Sequence, residues 1–323
     1  MRFSVSASTL RLLLPACLAP ALTMALTMAL TITLALALAM PGAAQAGHGA
    51  KAPDKKAVLV VVFGTTDAEG AKAYDGLKTA TEKAFPDLPV RLAYTSAHAR
   101  KTAAEAGTPA TAMPSPAQAL ARLADEGFTQ VAVQSMHIMP GREFHDLAAT
   151  AKALEGLPKG LKKVALGLPL LSGEDDLKRA AEALVDGARA AGKKSGKKPE
   201  ALVFVGHGTE HAATMAYPAL QYFLWKKDRL ALVGTIDSAP SLDDVLSELK
   251  ARRPASVRLI PLLSVAGDHA VNDIGGGEKD SWLMRIRAAG LPCEADLRGL
   301  IEQPEIVALW LEHLRSAVKE LDH

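Results

Sequence analysis

The sequence predicts an α/β protein built from two similar, doubly wound parallel-sheet lobes that face a central cleft. Three observations predict it. Short apolar runs of β type alternate along the chain with amphipathic segments of helical period, the pattern of βαβ units. The pattern also repeats: Val62-Phe63-Gly64-Thr65 is echoed by Val205-Gly206-His207-Gly208-Thr209, and Ser135-Met136-His137 by Leu263-Ser264-Val265 with His269 beyond. Finally, chemistry-bearing residues follow the apolar runs at a fixed spacing. His207 follows the run 201–205, Asp237 ends the run 230–236 thirty residues on, and His269 follows the run 257–263 thirty-two residues later. A strand with its crossover helix takes roughly 30 residues. Two imidazoles and a carboxylate are therefore expected beyond the C-terminal ends of successive parallel strands, where open sheets bind ligands.

The chain has 323 residues, and its first 46 read as a targeting segment rather than fold. Arg2 and Arg11 give a positive start, an apolar stretch follows to Met40, and Pro41-Gly42 then leads to Ala44-Gln45-Ala46, a small-x-small cleavage site. Cleavage after Ala46 is expected, giving an exported, periplasmic protein. The apolar stretch is long enough to span a bilayer, so an uncleaved anchor is the alternative. Leu14-Pro15-Ala16-Cys17 is a poor lipoprotein signal because most of the hydrophobic stretch follows the cysteine.

Loss of that segment removes two of the 37 basic residues and leaves 35, equal to the 35 acidic ones. Such a balance gives no argument for a nucleic-acid or membrane-surface partner. Cys293 is the one cysteine beyond Cys17, so the mature chain has no intrachain disulfide. Without a Cys-x-x-Cys-His motif, covalent c-type haem is excluded.

Residues 47–56 read as a disordered leader, 57–192 as the first lobe and 200–303 as the second. First-lobe strands are predicted at 57–63, 90–94, 130–135 and 163–168, with helices at 68–85, 116–126, 143–154 and 174–191. The Gly/Lys stretch after Ala191 reads as a solvated linker. The second lobe repeats the alternation, with strands at 201–205, 230–236, 257–263 and 293–297 and helices at 213–226, 241–251 and 280–289. A last helix, 304–321, is free to pack back on the first lobe.

Two histidines and a carboxylate with an open position suit a divalent metal. Glycines on both sides of His207 remove bulk and allow a sharp turn that exposes the imidazole. The bland alternative is a turn histidine satisfied by backbone. Around His269, Asp268 is placed to orient a ring, and Asn272 or Asp273 to cap the following turn. Asp237 precedes Ala239-Pro240 and is also an ordinary turn opener. His137 ends a first-lobe strand, either as a core histidine or as part of the cleft wall. His145 starts an amphipathic helix and is expected on the surface. His48, His313 and His323 are assigned no role.

These motifs, in this order, resemble the sirohydrochlorin cobaltochelatases of the anaerobic cobalamin pathway, class II chelatases related in fold to ferrochelatase. The resemblance rests on Val61-Val62-Phe63-Gly64-Thr65, Gln134-Ser135-Met136-His137-Ile138, Gly206-His207-Gly208 and Gly267-Asp268-His269-Ala270-Val271-Asn272-Asp273, and spans 56–321. It implies a chelatase-like fold and insertion of Co²⁺, with Fe²⁺ as the other metal, into sirohydrochlorin. His207 and His269 would be the metal-binding, proton-abstracting pair. The family's third ligand is a glutamate; Asp237 stands there with a shorter reach. Phe63, Gly64, Thr65 and His137 would meet the substrate. Arg100, Lys101, Arg142, Lys279 and Arg285 are candidates for its carboxylates. An export signal departs from the family, whose members usually act in the cytoplasm. The resemblance leaves one competitor from another class, a periplasmic metal or tetrapyrrole carrier without turnover. A plain solute-binding protein would fit two lobes but would leave the histidine motifs unexplained. A homo-oligomer is expected, and His145, beside Phe144 and Leu147, could offer an axial nitrogen to haem b.

Overall fold

The computed structural model describes residues 54–109, 112–192 and 199–323. The predicted export segment, the leader up to residue 53 and the linker 193–198 lie outside the described residues. Among the described residues, no helix is long and apolar enough to cross a membrane.

The first half forms a four-stranded parallel sheet from β1 (Lys56–Val62), β2 (Val90–Tyr94), β3 (Gln130–Ser135) and β4 (Lys163–Gly167), in the order β2-β1-β3-β4. The second half repeats it with β5 (Glu200–Gly206), β6 (Ala231–Thr235), β7 (Ser256–Pro261) and β8 (Cys293–Ala295), in the order β6-β5-β7-β8. The register is equivalent in both: Val61 lies opposite Ser135, and Val205 opposite Pro261. Each sheet winds outward in both directions from its central pair. The switch points therefore lie between β1 and β3 and between β5 and β7, where a crevice opens beyond the strand ends.

Both faces of each sheet are covered, which explains why the strands read as continuous apolar runs. In β1 the side chains still alternate with period two. Val58, Val60 and Val62 join the core between the sheets, whereas Ala57, Leu59 and Val61 face the outer helices. That central core is built on α1 (Ala68–Ala84), α5 (Glu174–Ala191), α6 (Ala216–Lys227) and α9 (Pro304–Glu320). Leu184, Leu220 and Trp310 pack there with Leu202 and Phe204 of β5, so one apolar core serves both lobes. The outer face of the first sheet is closed by α3 (Pro116–Asp125) and α4 (Arg142–Leu154) through Leu120, Leu123 and Leu147. That of the second is closed by α7 (Leu242–Arg252) and α8 (Trp282–Ala288) through Val245, Leu249, Trp282 and Ile286. The last helix, α9, crosses back to pack on β3 and β4.

Start signals are legible in the sequence. Asp67 accepts from the Gly70 amide at the head of α1. Ser115 forms a capping box with Gln118, with Pro116 in the first turn of α3. One further helix, α2 (Ala97–Glu105), has no counterpart in the sequence reading. It buries Ala99 alone and so carries no apolar stripe, and its signal is Ser96, whose hydroxyl accepts from the Ala99 amide. The helix expected at 213–226 begins as a 3₁₀ turn, Ala212–Met215, before α6.

Candidate functional site

The second sheet positions the two histidines. β5 ends at Gly206, and the ladder to β6 continues past the strand ends: the Ile236 amide donates to the Gly206 carbonyl and the Asp237 amide to that of His207, at 3.0 and 2.9 Å. This pins Asp237 beside His207. Gly208 has φ +93, and a Cβ there would lie 2.9 Å from the Ser238 amide nitrogen, so the turn requires glycine. The Gly208 amide donates to the buried Tyr217 hydroxyl at 3.1 Å, which anchors the other side of the turn. Tyr217 was not anticipated from sequence; it lies in the run after Gly208 and reads there as ordinary helix core.

His269 opens a π-helical turn, His269–Ile274, beyond β7. Wide helical turns of this kind often mark functional sites. The winding brings Asp273 beside its ring, with His269 Nδ1 donating to Asp273 Oδ2 at 2.6 Å. The expectation that Asp268 orients this ring is therefore corrected. Asp268 instead accepts from the Thr66 hydroxyl across the cleft at 3.2 Å.

The two imidazoles meet. Nε2 of His207 is 3.1 Å from Nε2 of His269, with ring centres 4.4 Å apart and planes at 87°. Asp237 Oδ2 lies 3.4 Å from His207 Nδ1, the nitrogen turned away from His269, and the Gly208 carbonyl lies 3.2 Å from the same atom. Each ring thus has a carboxylate behind Nδ1 and its Nε2 directed at the other. A hydrogen bond between two Nε2 atoms needs one proton between them, and a metal ion can take that proton's place. Among the described residues, no three His, Cys, Asp or Glu side chains converge as a ligand set. Asp237 accordingly stands behind His207 rather than beside the Nε2 pair.

The pair opens into a cavity of about 990 Å³, at the upper end of the usual range for small-molecule sites. The first sheet supplies its opposite wall. Phe63 follows β1 and is 46% exposed, an apolar surface with nothing packed over half of it. Gly64 has φ +107, and a Cβ there would meet that of Ala99 at 3.2 Å. Thr65 lines the cavity beside it, and its hydroxyl accepts from the Asp67 amide at 3.1 Å. His137 follows β3 and is 9% exposed. Its Nδ1 is 2.8 Å from the Ser135 hydroxyl and its Nε2 3.4 Å from that of Thr95. Burial lowers its pKa to about 4, so it faces the cavity as a neutral ring. Four of the segments that line the cavity follow the strands flanking the two switch points, and a fifth, with Ser96, His98 and Ala99, follows β2.

Of the five cations assigned to substrate carboxylates, Arg142 is the one that lines the cavity. Arg285 pairs with Asp243 at 2.8 Å, and Lys101 lies 3.8 Å from Glu105. His98 and His211, to which the sequence reading gave no role, also line the cavity. His145 is exposed at the head of α4, and its ring packs edge to face on His211 with centres 5.1 Å apart. His313 is engaged elsewhere, with Asp176 at 3.0 Å and the Leu168 carbonyl at 2.9 Å. Cys293 is buried, and its thiol is pushed up to about 12 by that burial, so it offers no thiolate to a metal.

The sequence model described as cobalt chelatase (CbiK) matches residues 56–319. The chain belongs to this family. A sirohydrochlorin cobaltochelatase, CbiKC, of Nitratidesulfovibrio vulgaris is 38% identical over 269 residues, covering 83% of this chain and 92% of its own. A sirohydrochlorin cobaltochelatase of Salmonella typhimurium is 35% identical over 266 residues, covering 82% and 97%. Among solved structures, SirB from Bacillus subtilis with Fe³⁺ superposes with a TM-score of 0.56 at 12% identity, covering 82% of this chain and 97% of that one. The cobalt complex of a sirohydrochlorin chelatase SirB from the same species gives 0.54, covering 83% and 97%. These two show a shared fold. The cobalt chelatase family assignment thus covers nearly all of the described chain, including both sheets and both histidines.

Proposed function

We propose that the protein inserts Co²⁺ into sirohydrochlorin, with His207 and His269 receiving the metal and accepting the pyrrole protons. The observation that carries this reading is the pair of facing Nε2 atoms, 3.1 Å apart, at the switch-point end of the second sheet. The cavity between the strand ends has the volume for a flat macrocycle, with Phe63, Gly64, Thr65 and His137 as the wall across from the pair. The curated relatives of this chain carry that activity in their names, which supports the choice of tetrapyrrole and metal.

Insertion requires the ring to lose two N–H protons from groups that are very weak acids in water. A neutral imidazole binds Co²⁺ or Fe²⁺ through the same lone pair with which it accepts a proton. In this reading the metal enters between the Nε2 atoms and passes to the macrocycle as the pyrrole protons pass to the vacated imidazoles. Gly64 keeps the wall flat, because any side chain there would project towards Ala99 and displace the loop. Arg142 meets a substrate carboxylate, and neutral His137 hydrogen-bonds without adding charge.

Asp273 and Asp237 act behind the pair, by holding Nδ1–H and so directing each Nε2. The geometry ranks them. Asp273 is 2.6 Å from the His269 ring nitrogen, whereas Asp237 is at 3.4 Å and shares Nδ1 of His207 with the Gly208 carbonyl. Asp273→Ala should therefore lower turnover by roughly 10–100-fold, and Asp237→Ala by less. The reverse ranking would restore Asp237 to a direct metal ligand.

The test of the function is direct. Purified protein incubated with sirohydrochlorin and Co²⁺ should convert the free-base absorption spectrum to that of the cobalt complex; Fe²⁺ in parallel fixes the metal preference. A spectrum unchanged over the no-enzyme control, with tetrapyrrole nonetheless bound, would make the protein a carrier. Periplasmic export rests on the N-terminal segment alone, and a mature N-terminus at Gly47 in the periplasmic fraction is its expected signature.

A further inference from the structure

A second pair of imidazoles stands at the cavity: His211 lines it, and His145 packs on His211 from outside the lining. His145 belongs to the first half, in the opening turn of α4, and His211 to the second, four residues after His207. Their rings meet across the two halves with centres 5.1 Å apart and planes at 69°. Two imidazoles bound to one first-row metal at 2.0–2.1 Å place their ring centres roughly 5 Å apart. The inner pair, at 4.4 Å, is the other His–His ring contact among the described residues.

We infer that His145 and His211 form a second, exchangeable site for a first-row divalent cation at the rim of the cavity. The donors decide the class: imidazole nitrogens suit Co²⁺, Ni²⁺ or Zn²⁺ and not Mg²⁺ or Ca²⁺. Glu143 and Glu210 stand in the same two segments and line the cavity, so they raise the local concentration of cations. Among the described residues, no third side chain of ligand type converges on the pair, and water would complete the coordination.

The site is weak by construction. His211 Nδ1 accepts from the Ala213 amide at 3.1 Å, capping the 3₁₀ turn Ala212–Met215. Coordination through Nε2 moves the ring proton to Nδ1 and gives up that cap. A metal held in this way is released easily, and it is released into a cavity whose inner wall carries the His207–His269 pair. The site therefore serves as a loading station for the metal substrate. That role rests on the chelatase reading, whereas the binding itself does not.

Equilibrium dialysis of the full chain against Co²⁺, without tetrapyrrole, tests the binding. Wild type should hold two Co²⁺ per chain, and His145→Ala and His145→Gln one each. His145 makes no side-chain cap, so these variants keep the fold, which a thermal melt checks. A His207→Ala/His269→Ala variant should also hold one, which adding His145→Ala removes. In the insertion assay, His145→Ala should be several-fold slower at limiting Co²⁺ and equal to wild type at saturating Co²⁺. Full Co²⁺ occupancy in both His145 variants would overturn the site. Reduced occupancy with unchanged rates at limiting Co²⁺ would overturn its loading role. If wild type inserts no metal, the chelatase reading fails, and the metal count still decides the site.

Discussion

Replacing His207 or His269 with Ala is expected to abolish metal insertion, lowering turnover roughly 10²–10⁴-fold, the range for loss of a positioned acid–base group. The fold should survive. Both side chains are exposed at the cleft and belong to none of the three apolar cores, so truncation opens no internal cavity. The backbone hydrogen bonds that fix the His207 turn do not involve the imidazole. Because the two Nε2 atoms would act on one metal in the proposed mechanism, the variants should not be additive, and the double variant should be little worse than either single one. Steady-state insertion of Co²⁺ into sirohydrochlorin, with far-UV circular dichroism as the control for folding, reads this out. Turnover within a few-fold of wild type in either single variant would sink the proposed mechanism.

Why the sheets were readable from sequence while parts of the site were not has a physical basis. A strand covered on both faces must be apolar at every position, so 57–63 and 201–205 stand out without structural help. Residues that follow such strands at βαβ spacing fall at the sheet ends, which located His207, Asp237, His269, Phe63 and His137. What spacing does not give is which ring nitrogen faces which neighbour. Asp237 is adjacent to His207 in space, yet it meets Nδ1, on the side away from His269. Asp273 reads as a turn cap, and only the π-helical winding after His269 brings its carboxylate onto the ring. The helix α2 buries too little to show a periodic stripe. His145 and His211 are 66 positions apart in the chain, and nothing local to either announces that their rings touch.

The duplicated topology also explains the division of labour across the cleft. Equivalent positions after β1 and β5 carry Phe63 and His207, and the segments after β3 and β7 carry His137 and His269. One half presents an exposed aromatic and a buried neutral histidine, the other two exposed histidines backed by carboxylates. In the proposed mechanism, a macrocycle held against the first wall would present its other face to the His207–His269 pair.

The buried member of that set gives the second large effect, on stability rather than turnover. His137 has a pKa of about 4 in the folded protein because burial penalises the imidazolium, whereas an unfolded chain gives histidine about 6.5. Between those values the unfolded chain takes up a proton that the folded chain refuses, so stability falls as pH falls. The loss begins near the unfolded value, is complete once pH drops below the folded one, and totals about 3 kcal/mol. Carboxylates also change charge across the lower part of this window. The contribution of His137 is therefore read as a difference against His137→Gln, which keeps hydrogen-bonding capacity towards Ser135 and Thr95 but does not titrate. Urea unfolding from about pH 7 to about pH 4.5 should show wild type losing most of those 3 kcal/mol relative to the variant. Parallel pH profiles for the two proteins would mean that His137 takes up its proton in the folded state. The cleft wall would then be cationic in acid, and a charged His137 would hold substrate carboxylates more tightly there.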